Sequence, residues 1–243
     1  MIGIILAAGK GTRLQPLTYA IPKPLLPVGG RPVIDYVIDN LKTCKKIEKI
    51  YIGYSHMGEA MRNYFAHVDY GIELELVSTP GWETAGDLKT IVTQKNINET
   101  AFVAYGDNIT KLDVTDMHNF HKKTGKLGTV ALFEVPWEDV PRFGVAEMDG
   151  AVVKRFVEKP ARSDAKSNKA NAGYYFLEPE AFEQLELQKE KVECSLFPKL
   201  VSRQQLAGYI CKLPYWLDIG TIESYRKANK MIEGIIPPGD GQK

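Results

Sequence analysis

Ile2-Gly3-Ile4-Ile5-Leu6-Ala7 runs directly into Ala8-Gly9-Lys10-Gly11-Thr12-Arg13, and Pro22-Lys23-Pro24-Leu25-Leu26-Pro27-Val28 follows shortly after. The first six residues are apolar, rich in β-branched side chains and ended by a glycine-rich break, the pattern of a short buried strand. A glycine-rich turn leaving such a strand lets backbone N–H groups approach a phosphate with no side chain in the way. The loop also carries two cations, Lys10 and Arg13. It fits neither standard nucleotide motif, because it lacks the last glycine of a dinucleotide fingerprint and the Gly-Lys-Ser/Thr of a P-loop. A tight strand-to-loop turn with solvated basic residues is the alternative reading. Pro22, Pro24 and Pro27 bracket Lys23 and exclude regular helix or central strand there. A rigid, extended segment of this kind suits a lysine that has to be aimed.

Outward from this stretch, strand-like and helix-like patterns alternate. Gly29-Gly30-Arg31-Pro32 reads as a turn with proline placed for the first turn of a helix. Val33, Ile34, Val37, Ile38 and Leu41 then recur at helical spacing. Residues 49–54, 72–77, 101–105 and 129–135 read as strands, and residues 59–65 and 116–123 as helices. Residues 79–86 read as loop, with a helix opening over 88–92. The alternation predicts an α/β fold, a mainly parallel sheet with helices on both faces. The second half is richer in strands, at 143–148, 152–157 and 172–177, with helical patterns at 179–185 and 222–232. No internal repeat, low-complexity tract or interdomain linker interrupts the chain. The reading is one domain over residues 1–243, its second half a substrate subdomain and residues 236–243 a loose tail.

Composition narrows the function classes. The 243 residues, 44% hydrophobic and 25% charged, suffice for one substantial core or two small ones. A formal net charge of +1 argues against a general nucleic-acid surface, so positive charge for phosphate must be local. Cys44, Cys194 and Cys211 show neither metal spacing nor a disulfide framework, which points to a reducing cytoplasm. The apolar start lacks a basic n-region, and no stretch is long enough to span a membrane.

The carboxylates come next. In open α/β sheets ligands bind beyond the carboxyl ends of the strands, and Asp107 directly follows the run 101–105. There it can hold Mg²⁺ beside phosphates, or cap a turn with Asn108. Asp218, within Tyr215-Trp216-Leu217-Asp218-Ile219-Gly220-Thr221, offers a second carboxylate for the same ion. Alternatively it stands at the positive end of a helix that Thr221 caps. Glu158-Lys159-Pro160 repeats the proline-fixed lysine at a strand end, as a second phosphate clamp or an ordinary surface lysine. Asn171-Ala172-Gly173 offers an amide for sugar hydroxyls, or simple turn chemistry.

Taken in order, these motifs resemble the sugar-phosphate nucleotidyltransferases, also called NDP-hexose pyrophosphorylases. The resemblance covers residues 6–13, 22–28, 106–108, 142–145, 156–160, 171–173, 197–200 and 216–221, nearly the whole chain. It implies a Rossmann-like fold in which residues 1–110 mainly bind nucleotide and 111–235 mainly bind sugar phosphate. It implies Mg²⁺-dependent transfer of a nucleoside monophosphate from an NTP to a hexose 1-phosphate, with release of pyrophosphate. By motif, Leu6, Ala7, Ala8, Gly9, Lys10, Gly11 and Thr12 hold the nucleotide, and Arg13 holds the β- and γ-phosphates. Lys23 contacts the phosphates around the reacting phosphorus. Asp107 and Asp218 hold the metal, Lys159 the sugar phosphate, and Gly144, Glu158 and Asn171 face the sugar. Ser78, Glu83, Thr84 and Gly86 lie along the base. Glu83 stands where many relatives have glycine, and the base is therefore left open among cytosine, uracil, thymine and guanine. A homo-oligomer, dimer or tetramer, is also implied. His56, His67, His118 and His121 fall outside the motifs and read as structural or solvated. A non-catalytic regulatory homologue that binds nucleotide sugars is the competing class, and a transferase for a non-sugar phosphate a third.

Overall fold

The computed structural model describes residues 1–235, so the tail expected at 236–243 lies outside the described residues. In chain order the elements are β1 (Ile2–Leu6), β2 (Pro27–Val28), β3 (Arg31–Pro32), α1 (Val33–Lys42), β4 (Lys49–Tyr54), α2 (Gly58–Phe65), β5 (Glu73–Ser78) and α3 (Glu83–Gln94). Then come β6 (Ala101–Tyr105), β7 (Asn108–Thr110), α4 (Val114–Thr124), β8 (Gly128–Glu134), β9 (Gly144–Asp149), β10 (Val152–Glu158) and β11 (Lys169–Leu177). The chain closes with α5 (Pro179–Phe182), α6 (Leu196–Ser202), β12 (Leu206–Ile210), β13 (Trp216–Asp218) and α7 (Ile222–Ile235).

A nine-stranded sheet runs β5-β4-β1-β6-β11-β8-β12-β10-β9. β5, β4, β1 and β6 are parallel, with Ile4 of β1 between Tyr51 and Val103. β11 enters antiparallel to both β6 and β8, and the far half is mixed. The α/β architecture read from the sequence is therefore present, as a mixed sheet whose parallel part is confined largely to the first half. Alternation along β1 sends Ile2, Ile4 and Leu6 to one face and Ile5 to the other. The first face packs α3, α5 and α6, and the second packs α1, α2 and α4. A third cluster joins Leu14, Leu26 and Val28 to Ile109, Leu217, Ile219 and the α7 residues Ala228 and Ile232. It clamps the proline segment onto the end of the sheet that carries the carboxylates.

Two expectations fail locally. The loop expected over 79–86 stops at Trp82, because α3 begins at Glu83, five residues before the apolar pattern starts at Leu88. No side chain caps that start, so the usual sequence signal for it is missing. Asp218 belongs to β13 rather than to a helix N-terminus, and β13 pairs with β7 so that Asp218 sits opposite Asn108. Three-residue strands show no periodicity to read. Thr221 does cap α7, accepting the Ser224 N–H at 3.1 Å. Among the described residues no helix is long and apolar enough to cross a membrane.

Candidate active site

The loop after β1 is held by its carbonyls and leaves its amides free. Leu6 accepts the Gly106 N–H at 3.0 Å, which seats the turn after β6 beside it. A Cβ at Gly106 would lie 2.9 Å from that of Ala7, so only glycine permits this approach. Ser55 Oγ donates to the Ala8 carbonyl at 2.6 Å, and Thr18 Oγ1 donates to the Gly11 carbonyl at 2.9 Å. Gly11 has φ +65°, where an added Cβ would also press on Thr18 and Lys23. Among the described residues, none of the backbone N–H groups of residues 8–13 has an acceptor within the chain. Thr12 and Arg13 are exposed, as are Gly9 and Lys10. A turn with free amides and two exposed cations can receive an anion.

The same end of the sheet gathers the carboxylates. Lys23, in a 3-10 turn at Lys23–Leu25, forms an ion pair with Asp107. Ile219 donates its N–H to the Asp107 carbonyl at 3.3 Å, which draws the Asp218 strand against Asp107. Asp218 Oδ1 accepts the Gly220 N–H at 2.7 Å, and its Oδ2 lies 3.5 Å from Arg142 Nη2. A Cβ on Gly220 would lie 3.4 Å from Arg13 Nη2, so the Arg13 guanidinium reaches the same corner. Among the described residues no group of three or more His, Cys, Asp or Glu side chains is placed to hold a metal ion. A pair of carboxylates near this loop of free amides nevertheless fits Mg²⁺, which is commonly held by one or two carboxylates plus substrate phosphates. Asp107 and Asp218 would hold it.

A second group of charged side chains gathers around Glu158. Glu158 ends β10 opposite Gly144, where an added Cβ would sit 2.6 Å from the Phe156 ring and 2.7 Å from Glu158 Oε2. Lys159 and Lys191 both bring ammonium groups to 3.9 Å from Glu158 Oε1. Burial, and then the charge of Glu193, push the Glu158 carboxyl above its ordinary value, against the pull of the two lysines. Asn171 is buried, donates from Nδ2 to Glu193 Oε1 at 3.3 Å and accepts the Gly173 N–H at 2.9 Å. Next to this group, Thr84 Oγ1 donates to Glu193 Oε2 at 3.4 Å from the first turn of α3.

The nucleotidyl transferase family model matches residues 2–234. The chain belongs to that family. It is similar to a UTP–glucose-1-phosphate uridylyltransferase of Synechocystis, at 32% identity over 97% of this chain and 63% of the relative. It is also similar to a mannose-1-phosphate guanyltransferase of Saccharomyces cerevisiae, at 34% identity over 90% of this chain and 61% of the relative. The chain thus spans less than two thirds of each of these relatives. A solved UDP-glucose pyrophosphorylase complexed with UDP-glucose matches with a TM-score of 0.82 and 25% identity, covering 97% of this chain and 100% of that one.

Against this family background, most of the residues singled out in the sequence meet at one end of the sheet. Three have other local work. Gly86 is buried where a Cβ would lie 2.2 Å from the Gln188 carbonyl, so its lack of a side chain serves packing against that loop. Asn171 spends its amide on Glu193 and on its own turn. Ser78 is exposed at the end of β5, where its carbonyl accepts from Gln94. Glu83 adopts φ +63°, the left-handed conformation that glycine takes most easily. The parts of the chain before and after residue 110 are in direct contact, since β13 pairs with β7 and Glu193 accepts from Thr84. Ser55, Arg142, Lys191 and Glu193 were not legible as site residues. Each arrives by tertiary contact, and only Arg142 lay inside a quoted motif. His118 and His121 are buried outside this site, in keeping with a structural reading.

Proposed function

We propose that this protein is a sugar-1-phosphate nucleotidyltransferase, which joins a nucleoside monophosphate from an NTP to a hexose 1-phosphate and releases pyrophosphate. One observation carries this reading: the loop of free amides, the Lys23–Asp107 pair and Asp218 come together at one end of the sheet, with the Glu158–Lys159 pair at the end of β10. A triphosphate on the loop would lie against Arg13 and Lys10. The sugar phosphate would meet Lys159, with its sugar toward Glu158.

The chemistry explains the inventory. A phosphate oxygen of the hexose 1-phosphate is already anionic at neutral pH, so attack on the α-phosphorus needs no general base. A new O–P bond forms as the bond from the α-phosphorus to the bridging oxygen breaks, and the electron pair leaves with pyrophosphate. The barrier is the approach of two polyanions, which positioning and preorganised cations lower. Lys23 would pass from Asp107 to phosphate oxygens, and Arg13 would hold the departing pyrophosphate. When bound at Asp107 and Asp218, Mg²⁺ supplies neutralisation of phosphate charge.

A panel of CTP, UTP, dTTP, GTP and ATP against glucose-, mannose- and N-acetylglucosamine-1-phosphate tests the reading. Pyrophosphate is expected only when a hexose 1-phosphate is present. No turnover with any pair would instead favour a regulatory binding protein.

A further inference from the structure

Glu193 is a charged side chain only 8% exposed, on a segment between α5 and α6 that no sequence motif singled out. A buried carboxylate is costly unless donors surround it. Three do, and they come from three different parts of the site. Tyr105 OH and Asn171 Nδ2 both donate to Oε1, and Thr84 Oγ1 donates to Oε2. Tyr105 ends the strand that leads to Asp107, Asn171 lies in the sugar-side strand, and Thr84 lies in the base-side turn. The backbone strengthens the last link. Val192 donates its N–H to Thr84 Oγ1 at 2.9 Å, Ala85 donates to the Glu190 carbonyl at 2.9 Å, and Glu190 donates to the Trp82 carbonyl at 3.1 Å. Gly86 admits the Gln188 carbonyl to the same seam. Residues 188–193 and 82–86 are therefore pinned to each other.

The charge of Glu193 also reaches its neighbours. Burial pushes the Tyr105 and Tyr175 phenols up, and Glu193 adds to both. The groups acting on Glu158 are burial, Glu193, Lys159 and Lys191. The fully buried Tyr175 hydroxyl, edge-on to Tyr105, has no hydrogen-bond partner among the described residues.

We propose that Glu193 is a positioning residue that couples the base-side turn to the sugar pocket, one carboxylate fixing Thr84, Asn171 and Tyr105 against each other. The inference rests on the proposed transferase reading for the identity of the two subsites. Its consequence is that a change on one side is felt by the substrate on the other.

Two experiments on the full chain test it. In Glu193→Gln, carbon-13 NMR of the Glu158 carboxyl should show titration at lower pH than in wild type, because a negative neighbour has been neutralised. In Thr84→Val that titration should stay close to wild type. With the NTP and hexose 1-phosphate pair that turns over, Glu193→Gln should raise both KM values about fivefold or more, with kcat changed less. Thr84→Val should raise the KM for the hexose 1-phosphate although it alters only the base side, and this rise should vanish in the Glu193→Gln background. If Glu193→Gln does not fold, Tyr105→Phe takes its place in the cycle with Thr84→Val. An unmoved Glu158 titration overturns the inference even in a protein with no turnover, the result that would defeat the transferase reading separately. KM effects confined to one substrate, or additive in the double variant, overturn it as well.

Discussion

Asp107 and Asp218 are tied to cations of the chain itself, Lys23 for the first and Arg142 for the second. A carboxylate that serves only as the anchor of an ion pair tolerates its amide with a modest loss. One that holds a metal beside reacting phosphates does not. Asp107→Asn and Asp218→Asn are therefore expected to lower turnover by about a hundredfold or more while the far-ultraviolet circular dichroism stays native. Unimpaired activity in both would remove the metal assignment. Glu83 makes a different case. Its φ of +63° costs a side-chain-bearing residue about 1–2 kcal/mol that glycine escapes, less the added backbone entropy of glycine in the unfolded chain. Glu83→Gly should raise stability by about 1 kcal/mol, a Tm rise of about 2–4 °C. At this scale the turn after β1 and the rigid segment around Lys23 were legible, because Gly9 and Gly11 free the backbone and the prolines fix it wherever they stand. Glu193 was not, because its meaning lies in donors from residues 84, 105 and 171 that are remote in the chain.

Among the elements, α4 shows how capping and burial combine. Asp113 accepts the Asp116 N–H at 2.8 Å at its start, and Gly125, at φ +59°, ends it. Between them His121 is buried with its ring stacked on Phe176 at 5.3 Å, Nδ1 2.7 Å from Thr129 Oγ1 and Nε2 3.1 Å from Glu178 Oε1. Burial outweighs the attraction of Glu178 and pushes the imidazole down to about 4. The folded value lies below the unfolded value of about 6.5, so the folded state disfavours the proton. The contribution is complete above about pH 6.5 and is lost as pH falls toward 4, at most about 3 kcal/mol from this group. Thermal melts from pH 7 to 4 should fall less steeply in His121→Asn than in wild type. Identical slopes would show that other groups carry the acid sensitivity. The longer helices and strands were legible from apolar spacing. β7 and β13 were not, since three residues hold no period and their pairing places Asp218 through long-range contact.

Across the whole molecule, β11 joins the parallel half to the mixed half, antiparallel to β6 on one side and β8 on the other. The sequence carried the α/β class because strand and helix patterns alternate in its first half. It could not carry the strand order, in which β11 and β12 insert far from their neighbours in the chain. That order matters for function. It sets β11, the strand that carries Asn171, beside the β6 that leads to Asp107. The account stands on a balanced transfer between two substrates at this site. Phosphorus-31 NMR of the purified protein with Mg²⁺, the NTP and the hexose 1-phosphate selected by the panel tests it most directly. Pyrophosphate and a nucleoside diphosphate sugar should appear in equal amounts, with neither formed when the sugar phosphate is omitted. Cleavage of the NTP at the same rate without the sugar phosphate, or no reaction with any pair, would contradict it.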